Sequence, residues 1–146
     1  MTILTQIVSD KRKSLQLNKY EFESVNYNAS TDVINHLKES SFTIIGEYKR
    51  KSPAYGELSS ISLVEQLQFY QSVGINFYSI LTDDIHFGGS FNDLALARKH
   101  FPNSMLLAKD FFIDKHQINC AKNCGADLIL LIAAILDENT LQEFTL

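Results

Sequence analysis

Cysteine is scarce, positive charge is not in excess, and no long apolar run is present. The two cysteines, Cys120 and Cys124, lie four residues apart. That spacing puts them on one face of a helix, poorly set for a mutual disulfide. They read as reduced thiols of a cytoplasmic protein. Met1-Thr2-Ile3-Leu4 has no basic segment leading into an apolar core, so no signal peptide is expected. A membrane helix needs ~20 apolar residues, and the longest run here, Leu128 to Leu136, falls well short. Thirteen Lys and Arg against seventeen Asp and Glu give a net charge of -4. Nucleic-acid binding needs clustered positive charge and is not expected. Of the basic runs, Lys49-Arg50-Lys51 is short and sits beside Glu47, and Lys11-Arg12-Lys13 reads as a solvated helix face. No Gly-x-Gly-x-x-Gly loop and no Gly-Lys-Ser/Thr phosphate loop occurs, so a nucleotide-binding doubly wound sheet loses its best support.

What is present is a globular composition, 45% hydrophobic and 21% charged over 146 residues, suited to one domain. Ile3, Leu4, Ile7, Val8, Lys11 and Leu15 recur at helical spacing and predict a helix over residues 2–17. Residues 18–30 read as a connector, and Val33, Ile34 and Leu37 as a short helix beginning after Ser30 or Thr31. From there strands and helices alternate. Phe42 to Lys49 is strand one. Ser62 with Glu65 forms a capping box for a helix ending near Gly74. Phe77 to Thr82 is strand two. Gly88-Gly89 is loop geometry before Ser90, which with Asp93 starts a helix to about His100. Met105 to Lys109 is strand three. Asp114 with Gln117 caps a helix that ends before Gly125. Asp127 to Ile132 is strand four, and Asp137 opens a last helix. Short, nearly continuous apolar strands separated by helices indicate a parallel sheet covered by helices.

Polar residues cluster just after the strands: Glu47 and Lys49, Thr82 and Asp83, Lys109 and Asp110. Alternation along a strand sends Glu47 and Lys49 the same way. A carboxylate and an ammonium on one face beside an apolar interior make a charged pocket for an anionic substrate. In a (β/α)8 barrel the active site occupies that C-terminal rim.

These residues resemble a known family. Glu47-Tyr48-Lys49-Arg50-Lys51-Ser52-Pro53, Leu81-Thr82-Asp83, Phe87-Gly88-Gly89-Ser90, Lys109-Asp110-Phe111 and Gly125-Ala126-Asp127 through Leu136 are similar, in order and spacing, to motifs of the indole-3-glycerol phosphate synthases of tryptophan biosynthesis. The first helix resembles that family's extra N-terminal helix. The resemblance implies an α/β fold, a partial (β/α)8 TIM barrel of about four βα units (residues 41–146) after an N-terminal helical extension (residues 1–40). It implies the substrate 1-(2-carboxyphenylamino)-1-deoxyribulose 5-phosphate and closure of the indole ring with loss of carbon dioxide and water, without cofactor or metal. Lys109 would be the general acid at the substrate's oxygen, and Lys49 would contact the substrate carboxylate with Glu47 beside it. Ser52, Phe87, Phe111 and Leu130 would line the substrate pocket. A partly buried lysine near a second lysine can be tuned towards neutral pH, while Glu47 would keep Lys49 charged.

The resemblance has departures. A whole barrel takes ~250 residues, and the glutamate of strand five, the groups around strand six and the phosphate-holding loops after strands seven and eight have no counterpart here. The expectation is a chain with little synthase activity and with open sheet edges that favour self-association. Ala54-Tyr55 stands where many members carry Ser-Lys. A phosphoribosylanthranilate isomerase is the rival barrel, without the Glu47/Lys49 plus Lys109 pattern. A non-catalytic half-barrel or self-assembling module is the rival of another class. Several features have plainer readings. Glu47 and Lys49 could be a structural ion pair, Ser52-Pro53 a turn, and His86 a solvated loop histidine. His116, Cys120 and Cys124, at i, i+4 and i+8, are better explained by helix packing than by metal ligation.

Overall fold

The computed structural model describes residues 2–17, 22–27, 33–58 and 60–145. In chain order the elements are α1 (Ile3–Gln16), α2 (Val33–Glu39), β1 (Gly46–Tyr48), β2 (Lys51–Ser52), β3 (Gly56–Glu57), α3 (Leu63–Ser72), β4 (Phe77–Leu81), α4 (Phe91–His100), β5 (Met105–Lys109), α5 (Lys115–Asn123), β6 (Leu128–Ile129), a 3-10 turn (Ala133–Ile135) and α6 (Glu138–Thr145). Most of the connector expected over 18–30, and the start expected for the second helix, lie outside the described residues.

The main sheet has the order β1-β4-β5-β6, and every pairing in it is parallel. Each strand lies beside the next one in the chain, with no reversal of order. A doubly wound sheet reverses its order at a switch point, whereas a singly wound barrel does not. Helices α3, α4 and α5 cover one face. Tyr48, Tyr78, Ile80, Leu106 and Ala108 point to that side and join Leu63, Leu67, Leu94, Phe101 and Cys120 in one core cluster. Burying a side chain such as Leu67 or Leu106, both inaccessible to solvent, contributes about 1.5–3 kcal/mol. Tyr78 packs against Tyr70 at 6.4 Å and edge-on to Phe101 at 5.6 Å between ring centroids. On the other face, α2 places Val33 against Phe77 and Met105 near the strands' N-terminal ends.

Local chemistry fixes the helix starts. Ser62–Glu65 and Asp114–Gln117 both form reciprocal capping boxes. Ser90 accepts the Asp93 N–H, and Asp137 accepts the Thr140 N–H at 2.8 Å. Each satisfies N–H groups that the helix itself leaves unpaired. Gly74 ends its helix at φ 85°, a left-handed conformation that glycine adopts without strain.

Three strands are shorter than expected, β4 only by its last residue, since it ends at Leu81 and not Thr82. β1 begins at Gly46, not Phe42. In the register Gly46 opposite Tyr78, only Ile45 could still face the start of β4. Residues 42–44 have no strand alongside, and Phe42 is 80% exposed. β6 covers only Leu128 and Ile129, opposite Leu107 and Ala108. β5 ends one residue later, so the apolar run beyond Leu130 has no strand beside it and turns into the 3-10 segment. The antiparallel pair β2/β3 (Lys51 opposite Glu57, Ser52 opposite Gly56) is not announced by the sequence, where Ser52 is expected in the substrate pocket with a Ser-Pro turn as the plainer alternative.

Candidate active site

The strand register decides what meets at the C-terminal rim. Glu47 lies opposite Ser79 and Leu81 opposite Lys109. Since side chains alternate, Glu47, Ser79, Leu81 and Lys109 share the face turned away from the helices, and Lys49, two residues beyond Glu47, joins them. Glu47 is held in place from behind. The Tyr70 hydroxyl and the Gln66 amide donate to its carbonyl at 2.9 and 3.2 Å. Gly46 lets Tyr70 approach, because a Cβ there would meet the ring at 2.6 Å.

The Glu47 carboxylate grips both amines. Lys49 Nζ lies 2.7 Å from Oε1, and Lys109 Nζ lies 3.0 Å from Oε2. Burial pushes the Glu47 carboxyl upward, but hydrogen bonds from Lys49 and Lys109 and their positive charges outweigh it and hold the group below its ordinary value. The three side chains border a cavity of about 230 Å³ whose other walls are Leu81, Phe87, Phe111, Leu130, Ile132 and part of Asp110. The Phe87 and Phe111 rings stand 6.1 Å apart, inclined at 31°. The result is an apolar slot with two cations and one anion at its mouth. It suits a flat ring bearing a carboxylate, with an ammonium in reach for proton transfer.

Not every expected residue comes to this place. Ser52 lies in β2, where its hydroxyl accepts the Tyr55 N–H at 3.3 Å, and it is not part of the cavity wall. Arg50, one of the basic run, turns outward. It pairs with Asp93 through both terminal nitrogens at 2.5 and 2.6 Å and stands over the Tyr48 ring at 5.3 Å. Lys49 is the one member of that run in the cavity wall.

A family described as Indole-3-glycerol phosphate synthase matches residues 4–146. The chain belongs to this family. Among curated proteins, the indole-3-glycerol phosphate synthase of Staphylococcus aureus strain MRSA252 is 42% identical over 150 aligned residues, covering 98% of this chain and 57% of its own length. That of strain JH1 is 41% identical with the same coverage. The chain thus spans a little over half the length of the synthases it matches.

Within this synthase family fold, one charge was misread from the sequence. Lys11 is not on a solvated face. It is 1% exposed and pairs at 2.8 Å with both Asp83 and Asp110, the residues that follow the ends of β4 and β5. The signal was present: Lys11 falls four residues after the buried Ile7, on the apolar stripe of α1. Asp110 is raised, chiefly by burial and further by Asp83, against the opposing charge and hydrogen bond of Lys11. His86 is not fully solvated either. Its Nε2 lies 3.4 Å from Asp10 Oδ2, a second contact between α1 and the loop after β4. Cys120 and Cys124 are buried in the helix-side core, with Cys120 Sγ 3.6 Å from His116 Nε2. Among the described residues no group of three His, Cys, Asp or Glu is placed to hold a metal, and no helix is long and apolar enough to cross a membrane.

Proposed function

We propose that the cavity is the anthranilate-binding and proton-transfer part of an indole-3-glycerol phosphate synthase active site. The substrate is 1-(2-carboxyphenylamino)-1-deoxyribulose 5-phosphate, and the reaction closes the indole ring with release of carbon dioxide and water. The observation that carries this reading is the meeting of Lys49 and Lys109 on the one carboxylate of Glu47, at the end of a slot walled by two phenyl rings.

In this reading the substrate's aromatic ring lies against the apolar wall formed by Phe87 and Phe111, whose centroids are 6.1 Å apart, with Leu130 closing the side. Its carboxylate competes with Glu47 for the Lys49 ammonium. As the ring carbon attacks the carbonyl carbon, Lys109 donates a proton to the carbonyl oxygen, which is no longer left as an uncompensated anion. The attacking carbon is the one that bears the carboxylate, so its bond to the carboxylate then breaks, carbon dioxide leaves, and the electron pair restores the aromatic ring. A second proton lets the hydroxyl depart as water while the neighbouring CH2 gives up a proton to a base, which completes the indole double bond. Glu47, already between both amines, orients them and can return protons. Ser52 acts on substrate only if the β2/β3 hairpin closes over the slot. Residues 1–40 form the helical extension, and residues 41–146 supply βα units of the barrel. In this reading the reaction proceeds without a cofactor, in the cytoplasm.

The cationic donors among the described wall residues are Lys49 and Lys109, and this reading assigns them to the ring carboxylate and the carbonyl oxygen rather than to the phosphate, so binding is measured separately from turnover. Fluorescence of the carboxyphenylamino group tests the proposal on the chain as it stands. Saturable quenching that is lost in Lys49→Met/Lys109→Met, with slow or undetectable indole formation, supports it. Quenching that is absent, or indifferent to those substitutions, counts against it. A second reading, self-assembly, is favoured by one observation: among the described residues β1 and β6 each have a partner on one side only. Sedimentation distinguishes the two, since assembly predicts a concentration-dependent dimer.

A further inference from the structure

The charge network beneath the slot has a definite architecture. Lys11 reaches up from α1, and its ammonium touches Asp83 Oδ2 and Asp110 Oδ1 at 2.8 Å each. Each of those carboxylates in turn organises the loop that carries one wall of the cavity. Asp83 Oδ1 accepts the backbone N–H of His86 at 2.7 Å and of Phe87 at 3.1 Å. Asp110 Oδ1 accepts the backbone N–H of Phe111 at 2.7 Å, and Oδ2 accepts the Thr82 hydroxyl at 2.9 Å. Both aromatic walls are therefore tied by their own amide groups to carboxylates that one ammonium holds together.

Stability alone explains this arrangement poorly. Three charges with almost no solvent contact carry a large desolvation cost, and apolar residues of similar volume often serve a core as well or better. A hydrogen-bonded buried network does define relative positions well. We propose that Lys11 is a positioning residue of the site, fixing the spacing of Phe87 and Phe111 through Asp83 and Asp110 so that the slot selects a flat aromatic ring. The ligand class rests on the anthranilate reading given above; the clamp itself does not. The N-terminal helix is then part of the active site, with the Asp10–His86 contact as a second fastening to the same loop.

The experiment is native-state amide exchange on the full chain, comparing wild type with Lys11→Met and with Lys11→Met/Asp83→Asn/Asp110→Asn. The triple variant removes the cation and both anions but keeps the acceptors of the Phe87 and Phe111 N–H groups. If Lys11→Met fails to fold, the charge-neutral triple variant decides. The amides of Phe87 and Phe111 should exchange about tenfold faster or more, while those of Ile80 and Leu106 keep their rates. Unchanged protection at Phe87 and Phe111 overturns the proposal, and so does a uniform rise at all four amides, which would mean simple destabilisation. Alongside, the preference for benzoate over cyclohexanecarboxylate should fall about threefold or more in the variants, and an unchanged preference would overturn the selective role. Should wild type bind neither carboxylate, the anthranilate reading fails, and the exchange rates still judge the clamp.

Discussion

Replacing Glu47 by glutamine keeps the shape of the site and removes the charge between its two amines. Lys49, Lys109 and Glu47 are each about a third exposed, so solvent screens both ion pairs. Such pairs contribute about 0.2–1 kcal/mol each, and the substitution should cost about 1 kcal/mol in total, far from the ~3–5 kcal/mol lost when a fully buried pair is broken. The sign with pH follows from the direction of the shift. The folded carboxyl titrates below its ordinary value of 4.5, so its contribution is fully present above that value and disappears as pH falls through the lower, folded one. Urea unfolding of Glu47→Gln and wild type, at neutral pH and in acid, measures this. The gap should be about 1 kcal/mol at neutral pH and should close in acid. A gap that stays constant with pH, or that exceeds ~3 kcal/mol at neutral pH, would refute the picture of a screened carboxylate shared by two ammoniums.

Other expectations are more local. Gly89→Ala puts a Cβ 2.0 Å from the Leu81 carbonyl oxygen. That obstacle is backbone, so the loop after β4 must move, and thermal unfolding should show a loss of about 1–3 kcal/mol or more. Ser62→Ala removes the hydroxyl of a complete capping box and should cost about 1 kcal/mol, read by urea unfolding. Cys124 is pushed up to about 12 by burial and by neighbouring Cys120. Both thiols should therefore resist an aromatic disulfide reagent at mildly alkaline pH until urea is added; rapid stoichiometric reaction of the folded chain would contradict the packing.

The legible parts of the sequence were those settled by local chemistry or by burial on both faces. β5 came out with both ends correct because Met105 to Lys109 is apolar up to the charge that ends it. Ser62, Ser90, Asp114 and Asp137 announced their helices, since capping is an interaction between near neighbours. β1 and β6 were overread because composition reports which residues could pair and not how far a neighbouring strand extends. Phe42 shows the error most plainly. Strand alternation plus family resemblance pointed to Glu47, Lys49 and Lys109, and these three border one cavity with Phe87, Phe111 and Leu130; their roles toward substrate belong to the proposal. Ser52 was drawn away by a hairpin that pairs only two residues on each side. Lys11 was hidden by its two basic neighbours: a run of three cations looks solvated, and the carboxylates that bury it lie far along the chain.

The central claim, that groups following successive parallel strands converge on one slot, is tested most directly by intermolecular NOEs from bound N-methylanthranilate. Contacts from the ligand ring to Phe87 and Phe111 together with contacts to the Lys49 and Lys109 Cε protons are predicted. Contacts to one lysine alone, or to residues on the helix-covered face, would contradict it.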